Sequence, residues 1–182
     1  RPNHSTANIT ANNNIVILVG NKAIYKFADT QGTGHTLTGS GNIEITGIVH
    51  GGFSSGTAYG NEIHVYGTDT KVKGIADFDN LNFYINHKMT YGDVMLKITG
   101  DGETDISARN VIVNVDGAPK AKGDLNTITL IQKTDEDEDS IIVAPNNDNI
   151  TVNFGPVLTG TGTVALTEDQ KDLVLTLKNI TV

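Results

Sequence analysis

Asn110-Val111-Ile112-Val113-Asn114-Val115 decides the fold class. In a strand successive side chains point to opposite faces, so Val111, Val113 and Val115 share one side while Asn110 and Asn114 share the other. A helical period would keep Val111 and Val115 on one face but turn Val113 to the opposite one. The same alternation appears in Asn42-Ile43-Glu44-Ile45-Thr46, Glu62-Ile63-His64-Val65-Tyr66, Asn149-Ile150-Thr151-Val152-Asn153-Phe154 and Leu173-Val174-Leu175-Thr176-Leu177. Turn-forming clusters separate these runs: Gly32-Thr33-Gly34, Gly39-Ser40-Gly41-Asn42, Gly100-Asp101-Gly102, Asn146-Asn147-Asp148-Asn149 and Gly160-Thr161-Gly162. Turn signals at about 8–12-residue spacing are those of an all-β chain, and no stretch reads as a helix.

The composition narrows the choice. Among 182 residues there are 20 glycines, no tryptophan and only 5% aromatics. Sandwich cores lean on large aromatic anchors. Ile, Val and Leu with Asn and Thr instead suit a parallel β-solenoid, whose strands stack about 4.8 Å apart and whose polar residues form ladders. At roughly 20–25 residues per coil the chain would make about seven or eight. The β-sandwich stays open as the alternative.

The formal charge of −8 argues against a nucleic-acid footprint or a basic membrane-binding face. The absence of cysteine excludes a disulfide scaffold and thiol chemistry without fixing the compartment. The opening Arg1-Pro2-Asn3-His4-Ser5 leads into polar residues, with no apolar signal core, so the chain reads as part of a longer protein.

Two stretches carry a family resemblance. Ile48-Val49-His50-Gly51-Gly52-Phe53-Ser54-Ser55-Gly56-Thr57-Ala58-Tyr59-Gly60-Asn61, running on to Gly67, resembles the repeat unit of bacterial autotransporter passengers. Gly74-Ile75-Ala76-Asp77-Phe78-Asp79-Asn80-Leu81-Asn82-Phe83-Tyr84-Ile85, then Tyr91 to Gly100 and Thr104-Asp105-Ile106, looks like the passage preceding their translocator barrel. The likeness spans about residues 45–115, with a single copy of the Gly-Gly repeat and no barrel strands. It implies an all-β, right-handed parallel β-helix closed by an antiparallel C-terminal cap hairpin (Thr163 to Leu166 with Leu173 to Val182). It also implies one domain over 1–182, with repeat-like coils in 1–73 and an autochaperone-like part in 74–182. Further implications are a cell-surface location, an outer-membrane barrel following in the parent protein, and a host or bacterial surface glycan or protein as partner.

Candidate sites are sparse. His4, His35, His50, His64 and His87 form no metal-ligand pair in sequence, although His50 and His64 can meet across adjacent coils. Asp135-Glu136-Asp137-Glu138-Asp139 offers clustered carboxylates for Ca²⁺, but Ser140 and Asn146 stand where an EF-hand needs Gly and Glu. Asp77 and Asp79 on one strand face, or Asp101, Glu103 and Asp105 around a turn, supply the carboxylate pairs of glycoside hydrolysis. Phe78, Phe83 and Tyr84, near Leu81 and Ile85, read instead as core. Ser40-Gly41 and Ser54-Ser55-Gly56 read as turns rather than nucleophile segments, and Thr36-Leu37-Thr38 and Thr127-Ile128-Thr129 are too few for an ice-binding array. Tyr59, Tyr66, Tyr84 and Tyr91 either present stacking surfaces or pack on neighbouring coils. The expectation is a non-enzymatic stalk or adhesin with no catalytic, cofactor or metal residue. A polysaccharide-degrading enzyme and a folding-nucleating segment are the alternatives.

Overall fold

The computed structural model describes strand backbones at 4–5, 15–19, 22–28, 34–40 and 44–50 and all of residues 62–182; side chains are described for 44–49 and 62–182. Sixteen strands run through the described residues, with one 3₁₀ turn at Asn147–Asn149 and no α-helix.

The strands alternate between two seven-stranded sheets. The first sheet takes β1 (His4–Ser5), β5 (Glu44–His50), β7 (Thr70–Ala76), β9 (Val94–Ile98) and β12 (Thr127–Lys133), all parallel. It continues through β16 (Asp172–Thr181) and β15 (Thr159–Leu166), both antiparallel to their neighbours. The second sheet stacks β2 (Ile15–Val19), β6 (Glu62–Tyr66), β8 (Asn80–Ile85), β11 (Asn110–Val115) and β14 (Ile150–Phe154) in parallel. The antiparallel β3 (Lys22–Ala28) and β4 (Gly34–Ser40) extend its other end. A short parallel pair, β10 (Thr104–Asp105) with β13 (Ile142–Val143), lies between successive visits.

Among the described residues each parallel series has five strands rather than seven or eight, because most returns are longer than expected (Val16 to Ile63 alone takes 47 residues) and the antiparallel β3–β4 and β15–β16 take up chain. Ile63, Leu81, Val111 and Ile150 stand in register, so successive returns take 18, 30 and 39 residues. The corner segments 86–93, 116–126 and 134–141 absorb the extra length without disturbing the register, as loops at corners tolerate insertion cheaply.

Period-2 alternation places the core. The rows Ile63–Leu81–Val111 and Val65–Phe83–Val113 face inward and are essentially inaccessible, as are Leu96, Ile98, Ile131, Leu173 and Leu175 from the first sheet. The predicted cap hairpin forms: Val164 pairs with Leu175 and Leu166 with Leu173 across a turn at 167–170. Two turn readings need correction. Gly160-Thr161-Gly162 lies inside β15, and Gly39-Ser40 closes β4 as strand. At Gly162 the glycine answers to space, since a Cβ there would sit 2.8 Å from Val152 Cγ1 and 3.3 Å from Leu177 Cδ2. The division between 73 and 74 falls inside β7.

Candidate functional site

The outer face of the second sheet gathers the polar and aromatic residues that alternate with its core. Parallel register brings Glu62, Asn80 and Asn110 into one row. His64, Asn82, Ile112 and Thr151 form a second row, and Tyr66, Tyr84, Asn114 and Asn153 a third.

The rows are bonded as well as aligned. The rings of Tyr66 and Tyr84 stack with centroids 4.0 Å apart and planes 6° from parallel. His64 stacks on Tyr84 at 5.8 Å, and its Nδ1 lies 2.7 Å from the Tyr84 hydroxyl. His64 Nε2 lies 3.4 Å from Glu62 Oε1. Asn110 Nδ2 donates to Asn80 Oδ1 at 3.0 Å, and the buried Asn82 donates to the Ile63 carbonyl at 3.3 Å.

Glu62, His64 and Tyr84 thus lie in the order of a carboxylate–imidazole–hydroxyl relay. The relay does not activate the phenol. Burial, then the hydrogen bond with Tyr66, raises the Tyr84 pKa above that of an ordinary tyrosine, so the oxygen keeps its proton and is a poor nucleophile. The array ties neighbouring strands of the sheet together.

Burial lowers the His64 pKa and outweighs the attraction and hydrogen bond from Glu62. Because the folded value lies below the ordinary 6.5, the unfolded chain binds the proton better. The contribution of neutral His64 is therefore complete above about pH 6.5 and is lost as pH falls through the folded value. We expect the urea midpoint to drop on going from about pH 7.5 to 5.5, and His64→Gln to drop less. Equal losses in both proteins would show that His64 is not the group responsible.

The other sequence candidates are dispersed. Asp77 sits at φ 64° in the bend between β7 and β8, with Asp79 two residues on in the same corner, so the two do not share a strand face. Asp79 Oδ1 lies 3.6 Å from Arg109 Nη1. Asp77, Asp105 and Arg109 line one cleft of about 170 Å³ with Phe78 and Ile106. Asp105 accepts from both the Ser107 amide and its hydroxyl, which holds its carboxyl below the usual range, the wrong direction for a general acid. Asp101 and Glu103 are exposed.

The backbones of His50 and His64 belong to different sheets, so the two are not register neighbours. His87 is exposed, and the side chains of His4, His35 and His50 lie outside the described residues, as do Ser54, Ser55 and Tyr59. No group of three His, Asp or Glu side chains able to hold a metal occurs among the described residues. Thr127 and Thr129 are half-buried in β12, and the side chains of Thr36 and Thr38 in β4 lie outside the described residues. Phe78 and Phe83 are core as expected, whereas Tyr84 faces outward by the parity of its strand. Tyr91 packs half-buried against the core.

No family model, curated protein or solved structure matches the chain.

Two lysines escaped the sequence reading. Lys133 occupies an inward row with Val72 and Ile98, is 4% exposed, and donates to Thr104 Oγ1 at 3.0 Å. Its position at the end of an alternating strand was the available signal. Lys171, at the foot of β16, carried none.

Proposed function

We propose that the chain is a non-catalytic segment of a bacterial cell-surface passenger, serving as a stalk or adhesin. In this reading the alternating visits to two sheets are the coils of a right-handed parallel β-helix, with residues 74–182 as its folding-nucleating end. The observation that carries it is the in-register parallel stack, whose outer face holds a bonded Tyr–His–Asn ladder rather than an activated nucleophile. A stack of this kind adds length without new topology, since each coil needs only its neighbours. The exposed edges of the tyrosines and asparagines offer hydrogen bonds and apolar contact to a surface glycan or protein.

An antibody raised against the chain is expected to label intact cells of the source organism and to follow their outer-membrane fraction. Exclusive recovery in the cytosol would overturn the proposal.

The cleft with Asp77, Asp105 and Arg109 favours a second reading, cleavage of a polysaccharide. It predicts reducing-end or unsaturated products that disappear in Asp77→Asn. The lowered Asp105 pKa weighs against that residue as the general acid, and the chain's −8 charge against an acidic polysaccharide as substrate.

A further inference from the structure

The acidic loop between β12 and β13 folds around a cation that belongs to the protein. Lys171 Nζ donates to the backbone carbonyls of Asp135 at 2.8 Å, Asp137 at 2.5 Å and Ser140 at 2.9 Å. An ammonium has three N–H donors and no acceptor, so three converging carbonyls are its full complement. The loop itself is pre-shaped for this. Ser140, fully buried, donates its hydroxyl to Asp135 Oδ2 and accepts the Gly102 amide, while the Asp137 amide donates to Asp135 Oδ2. These bonds turn the carbonyls of 135, 137 and 140 toward one point. The carboxylates of Glu136, Asp137, Glu138 and Asp139 lie in the exposed part of the loop.

The same lysine belongs to the turn of the closing hairpin. Its own carbonyl and the one before it are tied to the strands that flank the loop: Lys133 N donates to Lys171 O and Ile142 N to Gln170 O, each at 2.8 Å. The ammonium adds the third tie, between the hairpin turn and the loop.

We propose that Lys171 is the resident cation of the acidic loop: its ammonium fills the carbonyl nest that would otherwise recruit a hard divalent ion, and it latches the closing hairpin onto the last coil. Oxygen-rich loops with several carboxylates take Ca²⁺ when their carbonyls are free. Here they are engaged, and the loop's run of negative charge is partly answered from within. The inference stands independently of the surface-protein reading.

The wild-type chain gives the first test. In timed acylation with an amine-reactive ester, read by peptide mass spectrometry, Lys171 is expected to react about tenfold more slowly than the exposed Lys178 of β16, because its donors are engaged. Equal rates would overturn the latch. The second test compares thermal midpoints of wild type and Lys171→Ala with millimolar Ca²⁺ and with chelator. Wild type is expected to be indifferent, while the variant loses stability in chelator and regains part of it with Ca²⁺. A wild-type midpoint that rises with Ca²⁺, or a folded variant that ignores it, would overturn the nest. If the variant does not fold, the labelling rate and the wild-type response to Ca²⁺ still decide.

Discussion

Replacing Phe83 with alanine is expected to destabilise the chain by about 3–5 kcal/mol, the range for truncating a fully buried phenylalanine. Phe83 is inaccessible and lies between Val65 and Val113, with Val152 next in the row. Three of the four members are valines, so none is long enough to fill the void left by a missing ring. The adjacent residue provides the control. Tyr84 is half-buried on the outer face, and Tyr84→Ala removes its stacks on Tyr66 and His64 and one hydrogen bond, worth about 1–2 kcal/mol. Urea unfolding monitored by circular dichroism measures both. Equal losses would mean that the parity of β8 is misassigned.

Gly162→Val is expected to detach the closing hairpin. Strand β15 crosses the end of the core with Gly162 against Val152, Leu175 and Leu177, and an added Cβ already meets Val152 at 2.8 Å. Valine adds two further methyl groups to that contact, so the cost should reach or exceed the roughly 1–3 kcal/mol typical of overpacking. The neighbouring Thr161 is exposed on the opposite side of the strand, and Thr161→Val should be nearly neutral. If the hairpin separates before the rest, the denaturant slope should fall in Gly162→Val, because less surface is exposed in the main transition. An unchanged midpoint would show that the end of the core has room to spare.

These two cases mark how far the sequence could be read. Alternation in Glu62–Tyr66, Asn80–Ile85, Asn110–Val115 and Asp172–Thr181 is a local property of the strand, so the buried valines, leucines and Phe83 were legible. Strand pairing is not local. Returns of 18, 30 and 39 residues follow no period, and the meeting of Tyr66, Tyr84 and His64 appears only once the register is known. Gly160 and Gly162 read as turn residues because glycine's conformational freedom is its commoner use. Their close packing against Ile180 and Val152 is a tertiary fact. Asp77 and Asp79 fit an alternating pattern but lie in a corner, where Asp77 adopts the left-handed conformation that short polar residues tolerate. The acidic run was visible as charge. Its partner was not, because Lys171 is more than thirty residues away, on a hairpin that must first fold back.

Parallel, in-register stacking is the claim on which the rest depends, and cysteine pairing measures it directly because the chain has no cysteine of its own. Asn80 and Asn110 are register partners on β8 and β11. Neighbouring strands run about 4.8 Å apart, so their Cα atoms lie within reach of a disulfide. Asn114 is four residues further along β11, which places it roughly 13 Å away from that point. Asn80→Cys/Asn110→Cys is therefore expected to close a disulfide on mild oxidation, seen as a faster band on a non-reducing gel, while Asn80→Cys/Asn114→Cys stays open. A cross-link through Asn114 with none through Asn110 would mean antiparallel pairing of β8 with β11, and would contradict the parallel stack.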